Sequence, residues 1–139
     1  MVTEIQLVGI IGAGQMGVGI AQVFATAGFR VFIHDKNKTT LANAMSTLDK
    51  TLHRTVAKGR LKAEMVLHVL NNIKCKSHIS ELGECDLIIE AATEDEQIKH
   101  DIFQELRPHL KSETILTSNT SSISITRLAA RTDRPDKFM

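Results

Sequence analysis

The stretch IQLVGIIGAGQMG, from Ile5 to Gly17, decides the fold of this chain. It joins a continuous apolar run, which ends at Ile11, to the pattern G-x-G-x-x-G, whose first two glycines are Gly12 and Gly14. A continuous apolar run directly before glycines is typical of a buried strand in a parallel sheet. The residues that follow have helical character, so the sequence predicts a strand, a glycine turn and a helix in succession.

Each glycine of this pattern has its own steric reason. Gly12 lets the chain turn tightly out of the strand, Gly14 leaves room for a pyrophosphate beside the backbone, and Gly17 allows the helix to pack closely on the strand. The N-terminal end of that helix suits a pyrophosphate, because its N–H groups and its dipole attract anions. The predicted cofactor contacts here are Gly12, Gly14, Gln15, Met16 and Gly17. A tight strand–helix turn without any ligand would also explain the glycines, and this alternative stays open.

An acid follows the second predicted strand. Asp35 lies 18 residues past Gly17 and directly after the run Arg30–His34. A carboxylate at this place accepts hydrogen bonds from the ribose hydroxyls of adenosine and repels a 2′-phosphate, which favours NAD over NADP. Lys36 also lies close enough to contact the cofactor, and a lysine there complicates the preference because it tolerates a phosphate. Asp35 could instead be a simple loop acid or a helix cap.

Apolar runs and helical segments alternate along the rest of the chain, which indicates a parallel sheet covered by helices. The predicted fold class is α/β, a Rossmann-type doubly wound, mainly parallel sheet with helices on both faces. The predicted strands are Ile5–Ile11, Arg30–His34, Ile73–Lys76, Asp86–Ala92 and Thr114–Ser118, and the predicted helices are Met16–Ala27, Thr39–Lys58, Leu61–Asn72, Glu94–Leu110 and Ser124–Arg131. Because ligands bind at the carboxyl ends of such strands, Asp35, Ala92–Glu94 and Ser118–Ser122 should converge around one crevice, and Ala92 is a predicted cofactor contact there.

Composition restricts the function classes. The chain has 139 residues, which suits one domain, and a formal net charge of +1, which gives no field for nucleic acid or an anionic membrane. Its apolar runs are too short and too interrupted to span a bilayer. Cys75 and Cys85 lack the spacing of metal ligands and indicate reduced thiols in a cytoplasmic protein, and Glu4 argues against a signal peptide. We therefore expect no metal, no nucleic acid and no membrane.

Three stretches of the chain resemble the 3-hydroxyacyl-CoA dehydrogenase family, including its 3-hydroxybutyryl-CoA enzymes. They are IIGAGQMGVGIAQVFATA at Ile10–Ala27, DLIIEAATE at Asp86–Glu94, and SNTSS at Ser118–Ser122, which is followed by Ile123–Ile125. The match runs over essentially the whole chain. The resemblance implies an NAD-dependent oxidoreductase that acts on an acyl-CoA substrate in fatty acid metabolism and β-oxidation.

The resemblance also implies roles for single residues. Cofactor contacts of the family fall on Asp35, Glu94, Lys99 and Asn119. The serine that matches Ser121 lies near the substrate's 3-hydroxyl and the nicotinamide, where a hydroxyl can orient the carbinol oxygen for hydride loss. Ser121 is therefore the predicted catalytic residue and a predicted contact for both cofactor and substrate. It could also act only as the N-cap of the helix that follows.

The helix after the second strand offers Thr51 and Lys58, seven residues apart and so on one face. In the family a serine and a lysine at these places reach toward the CoA phosphates. Here the serine is a threonine, which keeps the hydroxyl and adds a methyl group. Lys58 is a suitable phosphate partner as a point charge. A solvated helix face explains both residues equally well.

The family's general base is a histidine in a G-x-H-F-x-x-P segment, which would come just after Met139. None of the chain's histidines lies in that motif. They are His34, His53, His68, His78, His100 and His109. We therefore expect residues 1–139 to be the NAD-binding domain of a longer, homo-oligomeric protein with a mostly helical second domain, and to be inactive alone. Two alternatives stay open, a sugar-acid (gulonate-type) dehydrogenase of the same superfamily and a crystallin-like protein that holds NAD without turnover.

Overall fold

The computed structural model describes residues 5–92 and 95–118. Five parallel strands form one sheet in the order β3-β2-β1-β4-β5, which confirms the predicted fold class. The strands are β1 (Leu7–Ile11), β2 (Arg30–His34), β3 (Ile73–Cys75), β4 (Leu87–Glu90) and β5 (Ile115–Ser118). The helices are α1 (Gln15–Thr26), α2 (Lys38–Ala57), α3 (Met65–Asn71) and α4 (Glu96–Leu106), with 3₁₀ helices at Ile79–Glu84 and Arg107–His109.

The sheet separates two apolar cores. Helices α1, α2 and α3 cover one face, where the buried residues of α2 are Ala44, Leu48 and Leu52, spaced four apart on one helical stripe. Helix α4 and the first 3₁₀ helix cover the other face, through residues such as Phe103 and Leu82. Strand β1 lies in the middle and is buried along its whole length, as expected for the central strand of a parallel sheet.

The predicted C-terminal ends of α1 and α2 agree with the structure, whereas the start of α3 and the end of α4 differ. Helices α1 and α2 end just before Gly28 and Gly59, which have φ angles of 100° and 73°. Helix α3 starts at Met65 rather than Leu61, because a turn precedes it in which the Met65 N–H bonds the Lys62 carbonyl at 2.9 Å. Helix α4 ends at Leu106 rather than Leu110. Pro108 has no N–H and its ring opposes the carbonyl four residues earlier, so the chain tightens into a 3₁₀ turn.

The strand register aligns the carboxyl ends of four strands. Ile11 of β1 pairs with His34 of β2 on one side and with Glu90 of β4 on the other, and Glu90 pairs with Ser118 of β5. His34, Ile11, Glu90 and Ser118 therefore form one row across the sheet, and the segments that follow them leave from one edge. The predicted helix Ser124–Arg131 lies outside the described residues.

Candidate functional site: a nucleotide cleft at the carboxyl edge of the sheet

The glycine turn joins β1 to α1 with very little space around two of its three glycines. Gly12 has a φ of 113°, and a Cβ on it would lie 2.8 Å from the carbonyl carbon of Ala91. A Cβ on Gly17 would overlap the carbonyl oxygen of Gly12. The structure thus shows the tight turn predicted for Gly12 and the close helix–strand packing predicted for Gly17.

Gly14 differs from its neighbours. Within residues 5–92 and 95–118, no atom beyond the adjoining residues of the turn lies within 4 Å of the place where its Cβ would be, and its φ of −73° is open to any residue. No side chain caps α1 at this position, so the first turn presents its N–H ends and the positive end of the helix dipole to the edge of the sheet. The space beside Gly14 is therefore available to an anion, and it fits the pyrophosphate of a dinucleotide.

Asp35 ties the glycine turn to the start of α2. Its Oδ2 accepts from the Ala13 N–H at 2.8 Å and its Oδ1 accepts from the Asn37 N–H at 2.8 Å. Asn37 caps α2, because its side-chain oxygen accepts from the Thr40 N–H at 3.0 Å. Asp35 is thus not the helix cap. Its half-buried carboxylate faces a cleft, where its remaining lone pairs can accept from ribose hydroxyls.

The cleft has a volume of about 790 Å³ and lies between the sheet edge and α4. This size falls in the usual range for small-molecule sites. Gly12, Asp35, Lys36 and Ala92 line it, so the structure brings together four residues that the sequence assigned to the cofactor. The other lining residues are Ile11, His34, Ser77, His78, Ile79, Ser80, Ile98, Asp101, Ile102, Glu105 and His109.

The sequence interpretation missed the α4 wall of this cleft. Ile98 and Ile102 are one turn apart on α4, and Ile98 is 49% exposed although it is apolar. An exposed isoleucine beside a cleft suits the face of a flat ring. The available signal was an apolar pair in the first turns of the helix after β4, but only the fold places that helix against the cleft.

A buried polar network lies beside the cleft at the end of β4. Glu90 and Lys99 are both fully buried and form an ion pair. Glu90 Oε1 also accepts from the Ser118 hydroxyl at 2.9 Å, and its Oε2 accepts from the Ala92 N–H at 2.6 Å. Glu90 therefore connects β4, β5, α4 and the turn that leads to Glu94. Sequence reasoning missed Glu90, which reads as one more residue of an apolar strand.

The network bears on the role of Lys99. The sequence assigned its ammonium to the cofactor, whereas the structure directs it to Glu90 inside the protein. The contact between Lys99 and the cofactor stays a prediction. Glu94, Asn119 and Ser121 lie outside the described residues.

Thr51 and Lys58 are not among the residues that line the cleft. Thr51 donates its hydroxyl hydrogen to the Thr47 carbonyl at 2.9 Å within α2. Lys58 is exposed and directly follows the last residue of α2. Their contact with CoA phosphates stays a prediction.

The described part of the chain offers neither a cluster of metal ligands nor a membrane span. Within residues 5–92 and 95–118, no three His, Cys, Asp or Glu side chains are grouped to hold a metal ion. In the same part of the chain, no helix combines the length and the apolar character needed to cross a bilayer.

Comparison with known proteins agrees with this geometry. Residues 7–139 match the family described as 3-hydroxyacyl-CoA dehydrogenase, NAD binding domain. The chain belongs to this family. The cofactor of the domain is therefore NAD, and the open space at Gly14 and the acid at Asp35 fit it.

Individual relatives support the same assignment. The chain is 48% identical over 139 residues to 3-hydroxybutyryl-CoA dehydrogenase of Bradyrhizobium diazoefficiens, covering 100% of this chain and 47% of that protein. It is 44% identical to a probable 3-hydroxybutyryl-CoA dehydrogenase of Deinococcus radiodurans, over 94% of this chain and 47% of the relative. The crystal structure of (S)-3-hydroxybutyryl-CoA dehydrogenase from Ralstonia eutropha superposes with a TM-score of 0.92 at 38% identity, covering 97% of this chain and 48% of that one. The chain spans about half the length of these relatives.

Proposed function

We propose that this domain holds NAD for the oxidation of a 3-hydroxyacyl-CoA to a 3-oxoacyl-CoA in a longer, homo-oligomeric cytoplasmic protein. The observation that carries the proposal is the open space at Gly14 beside the N-terminus of α1, next to the cleft that Gly12 and Asp35 line. When bound, NAD accepts the hydride that leaves C3 of the substrate. The curated relatives named above, which are 3-hydroxybutyryl-CoA dehydrogenases, support the substrate class.

Different residues along the edge of the sheet bind different parts of the cofactor. Gly12, Gly14 and Gly17, with Gln15 and Met16 at the start of α1, bind the pyrophosphate. Asp35 accepts from the adenosine ribose, and Lys36 lies beside it in the cleft. Because Asp35 already accepts from Ala13, a ribose bound there is coupled directly to the glycine turn.

The nicotinamide half of NAD lies toward Glu90 and Ser118, at the other end of the row of strand ends. Ala92, Glu94 and Asn119 contact the cofactor there, and Ser121 orients the 3-hydroxyl of the substrate. Lys99 contacts the cofactor only when its ammonium leaves Glu90, with which it is paired in the structure. Glu90 supports this end, since it holds the Ala92 N–H and the Ser118 hydroxyl, which are two and three residues from Glu94 and Ser121. Thr51 and Lys58 bind the CoA phosphates from outside the cleft.

A base must take the hydroxyl proton as the hydride leaves, and this help is worth roughly 10²–10⁴ in rate. The resemblance assigns it to a histidine beyond Met139. His34 lines the cleft, but its Nδ1 bonds the Lys76 carbonyl and it lies on the β2 side, next to the ribose acid. Residues 1–139 alone should therefore bind NAD without oxidising the thioester.

The test follows NADH absorbance with 3-hydroxybutyryl-CoA at neutral to mildly alkaline pH, for residues 1–139 and for the reading frame extended downstream. NAD binding by both and turnover only by the extended protein would support the proposal. Turnover of gulonate but not of the CoA ester would assign the protein to the sugar-acid dehydrogenases. Binding of NAD with no turnover of either substrate by the extended protein would assign it to the crystallin-like class.

A further inference from the structure

His34 is a buried histidine in the cleft to which no role has been given. It is the last residue of β2 and only 8% exposed, yet it lines the cleft. Side chains of a strand alternate between the two faces of the sheet. Val31 and Ile33 belong to the core under α1 and α2, and Phe32 packs on the core under α4. His34 therefore points to the α4 face, where the cleft lies.

The hydrogen bond of His34 fixes what the ring can offer. Its Nδ1 lies 2.9 Å from the carbonyl oxygen of Lys76. A carbonyl oxygen only accepts, so Nδ1 carries the hydrogen of this bond. In the neutral ring, Nε2 is then an acceptor. A buried acceptor on a cleft wall selects for a ligand that brings a donor to it.

The other residues of the cleft indicate the shape and polarity of that ligand. Ile98 and Ile102 form an apolar wall from α4, and Ile98 exposes about half of its surface. Asp35, the neighbour of His34, marks the ribose end. A flat heteroaromatic base attached to that ribose would enter the space between the α4 wall and His34.

We propose that Nε2 of His34 accepts a hydrogen bond from the 6-amino group of the cofactor's adenine, which makes His34 a specificity residue for the base. The inference rests on the proposed binding of NAD in this cleft. The carboxylates of the facing α4 wall, Asp101 and Glu105, are exposed, and Asp101 already accepts from Gln97 at 3.0 Å. An exposed acceptor discriminates less, because water replaces the lost donor.

The experiment compares NAD with nicotinamide hypoxanthine dinucleotide, in which a carbonyl oxygen replaces the 6-amino group. Calorimetry at pH 8 measures both affinities. The unchanged chain should bind NAD about 10-fold more tightly than the hypoxanthine analogue. In the analogue a carbonyl oxygen would face Nε2 of His34, and two acceptors cannot form a hydrogen bond with each other. His34→Phe should reduce that preference to about 2-fold or less, chiefly by weakening NAD.

Two further variants keep the outcome interpretable. His34→Gln can place a carbonyl oxygen near the position of Nε2, so it should retain most of the preference for NAD even if His34→Phe folds poorly. His109→Phe removes an exposed histidine from the same cleft and should leave the preference unchanged. Equal binding of both dinucleotides by the unchanged chain, or a preference that survives in a folded His34→Phe, would overturn the inference while leaving NAD binding intact. Binding of neither dinucleotide would contradict the proposed function itself, and this inference with it.

Discussion

The two ends of β4 each carry an acid paired with a lysine, and the two pairs differ in burial. At the amino end, Asp86 Oδ1 accepts from Lys111 Nζ at 2.6 Å, and the lysine side chain is 38% exposed. At the carboxyl end, Glu90 and Lys99 are both fully buried. An ion pair in water contributes little to stability, whereas a buried charge that loses its partner costs several kcal/mol.

The two pairs have different roles, since one supports only the fold and the other also supports the cofactor site. Asp86 Oδ2 also accepts from the N–H groups of Gln6 and Leu7 at 3.0 Å, so it fastens the start of β1 to β4 on the side away from the cleft. Glu90 fastens Ala92 and Ser118, which lead into the segments assigned to the nicotinamide. Damage at the amino end should affect folding alone, while damage at the carboxyl end should affect the cofactor as well.

The largest effect on stability should come from breaking the buried pair. Glu90→Leu leaves the Lys99 ammonium without its partner inside the protein, which should lower the free energy of unfolding by about 3–5 kcal/mol. Urea denaturation followed by circular dichroism measures it. The double variant Glu90→Leu/Lys99→Met buries no charge and should regain most of the loss. A double variant as unstable as the single one would show that the charge is not the cause.

The glycine turn at the same edge should give the largest effect on binding. Gly14→Val should weaken NAD by about 100-fold or more, because the side chain fills the space that the pyrophosphate needs. The free energy of unfolding should change by less than about 1 kcal/mol, since no other part of the described chain lies within 4 Å of the new Cβ. Gly17→Ala is the contrasting variant and should destabilise the fold by about 1–3 kcal/mol. Normal NAD binding by Gly14→Val would mean that the turn does not hold the phosphates.

The amino-end pair should have a smaller effect that depends on pH. Burial alone would raise the pKa of Asp86, but hydrogen bonds from Lys111 and from two backbone N–H groups outweigh it and hold the pKa below its usual value. A lowered pKa in the folded state stabilises the protein above the unfolded pKa, and this stabilisation is lost as the pH falls through the folded value.

Asp86→Asn should therefore cost about 1 kcal/mol of unfolding free energy at pH 7, and the cost should shrink below about pH 4. The single oxygen of asparagine can still accept from the two backbone N–H groups, so the variant removes the charge together with the hydrogen bond from Lys111. Urea titrations at a series of pH values check the trend, with NAD affinity at pH 7 as the control that should not move. A cost that stays constant down to pH 2.5 would contradict the role of the charge.

The last expected effect, similar in size to that of the amino-end pair, concerns the choice between the two dinucleotides. Asp35→Asn should reduce the preference for NAD over NADP by about 10-fold, because the repulsion of the 2′-phosphate disappears. Calorimetry with both cofactors measures the ratio. Asp101→Asn removes an exposed carboxylate from the same cleft and should leave the ratio unchanged. Tighter binding of NADP than of NAD by the unchanged chain would contradict the role of Asp35 as the acid that accepts from the ribose and repels the 2′-phosphate.

The sequence by itself determined the fold class, the glycine turn and Asp35. These features depend on local rules: an apolar run of strand length, glycines where a Cβ would meet backbone, and an acid at the end of the next strand. The positive φ of Gly12 and the close approach of Gly17 to the Gly12 carbonyl arise within a few residues of chain, so a motif can record them. The approach of Gly12 to the Ala91 backbone depends on the pairing of β1 with β4. The end of α4 was written in the sequence as well, at Pro108, although the periodic pattern continued past it.

Only the tertiary structure decided which side chains share the cleft and which are taken up inside the protein. Glu90 and Lys99 are nine residues apart, and Glu90 and Ser118 are twenty-eight apart, so their contact depends on the packing of α4 and β5 against β4. Nothing in the sequence marks His34, which is the last residue of a strand. Its role depends on the Lys76 carbonyl, just after β3, and on the facing wall of α4. A sequence pattern fixes which residues are near each other along the chain, whereas the register of the sheet and the seating of the helices fix which charges are buried.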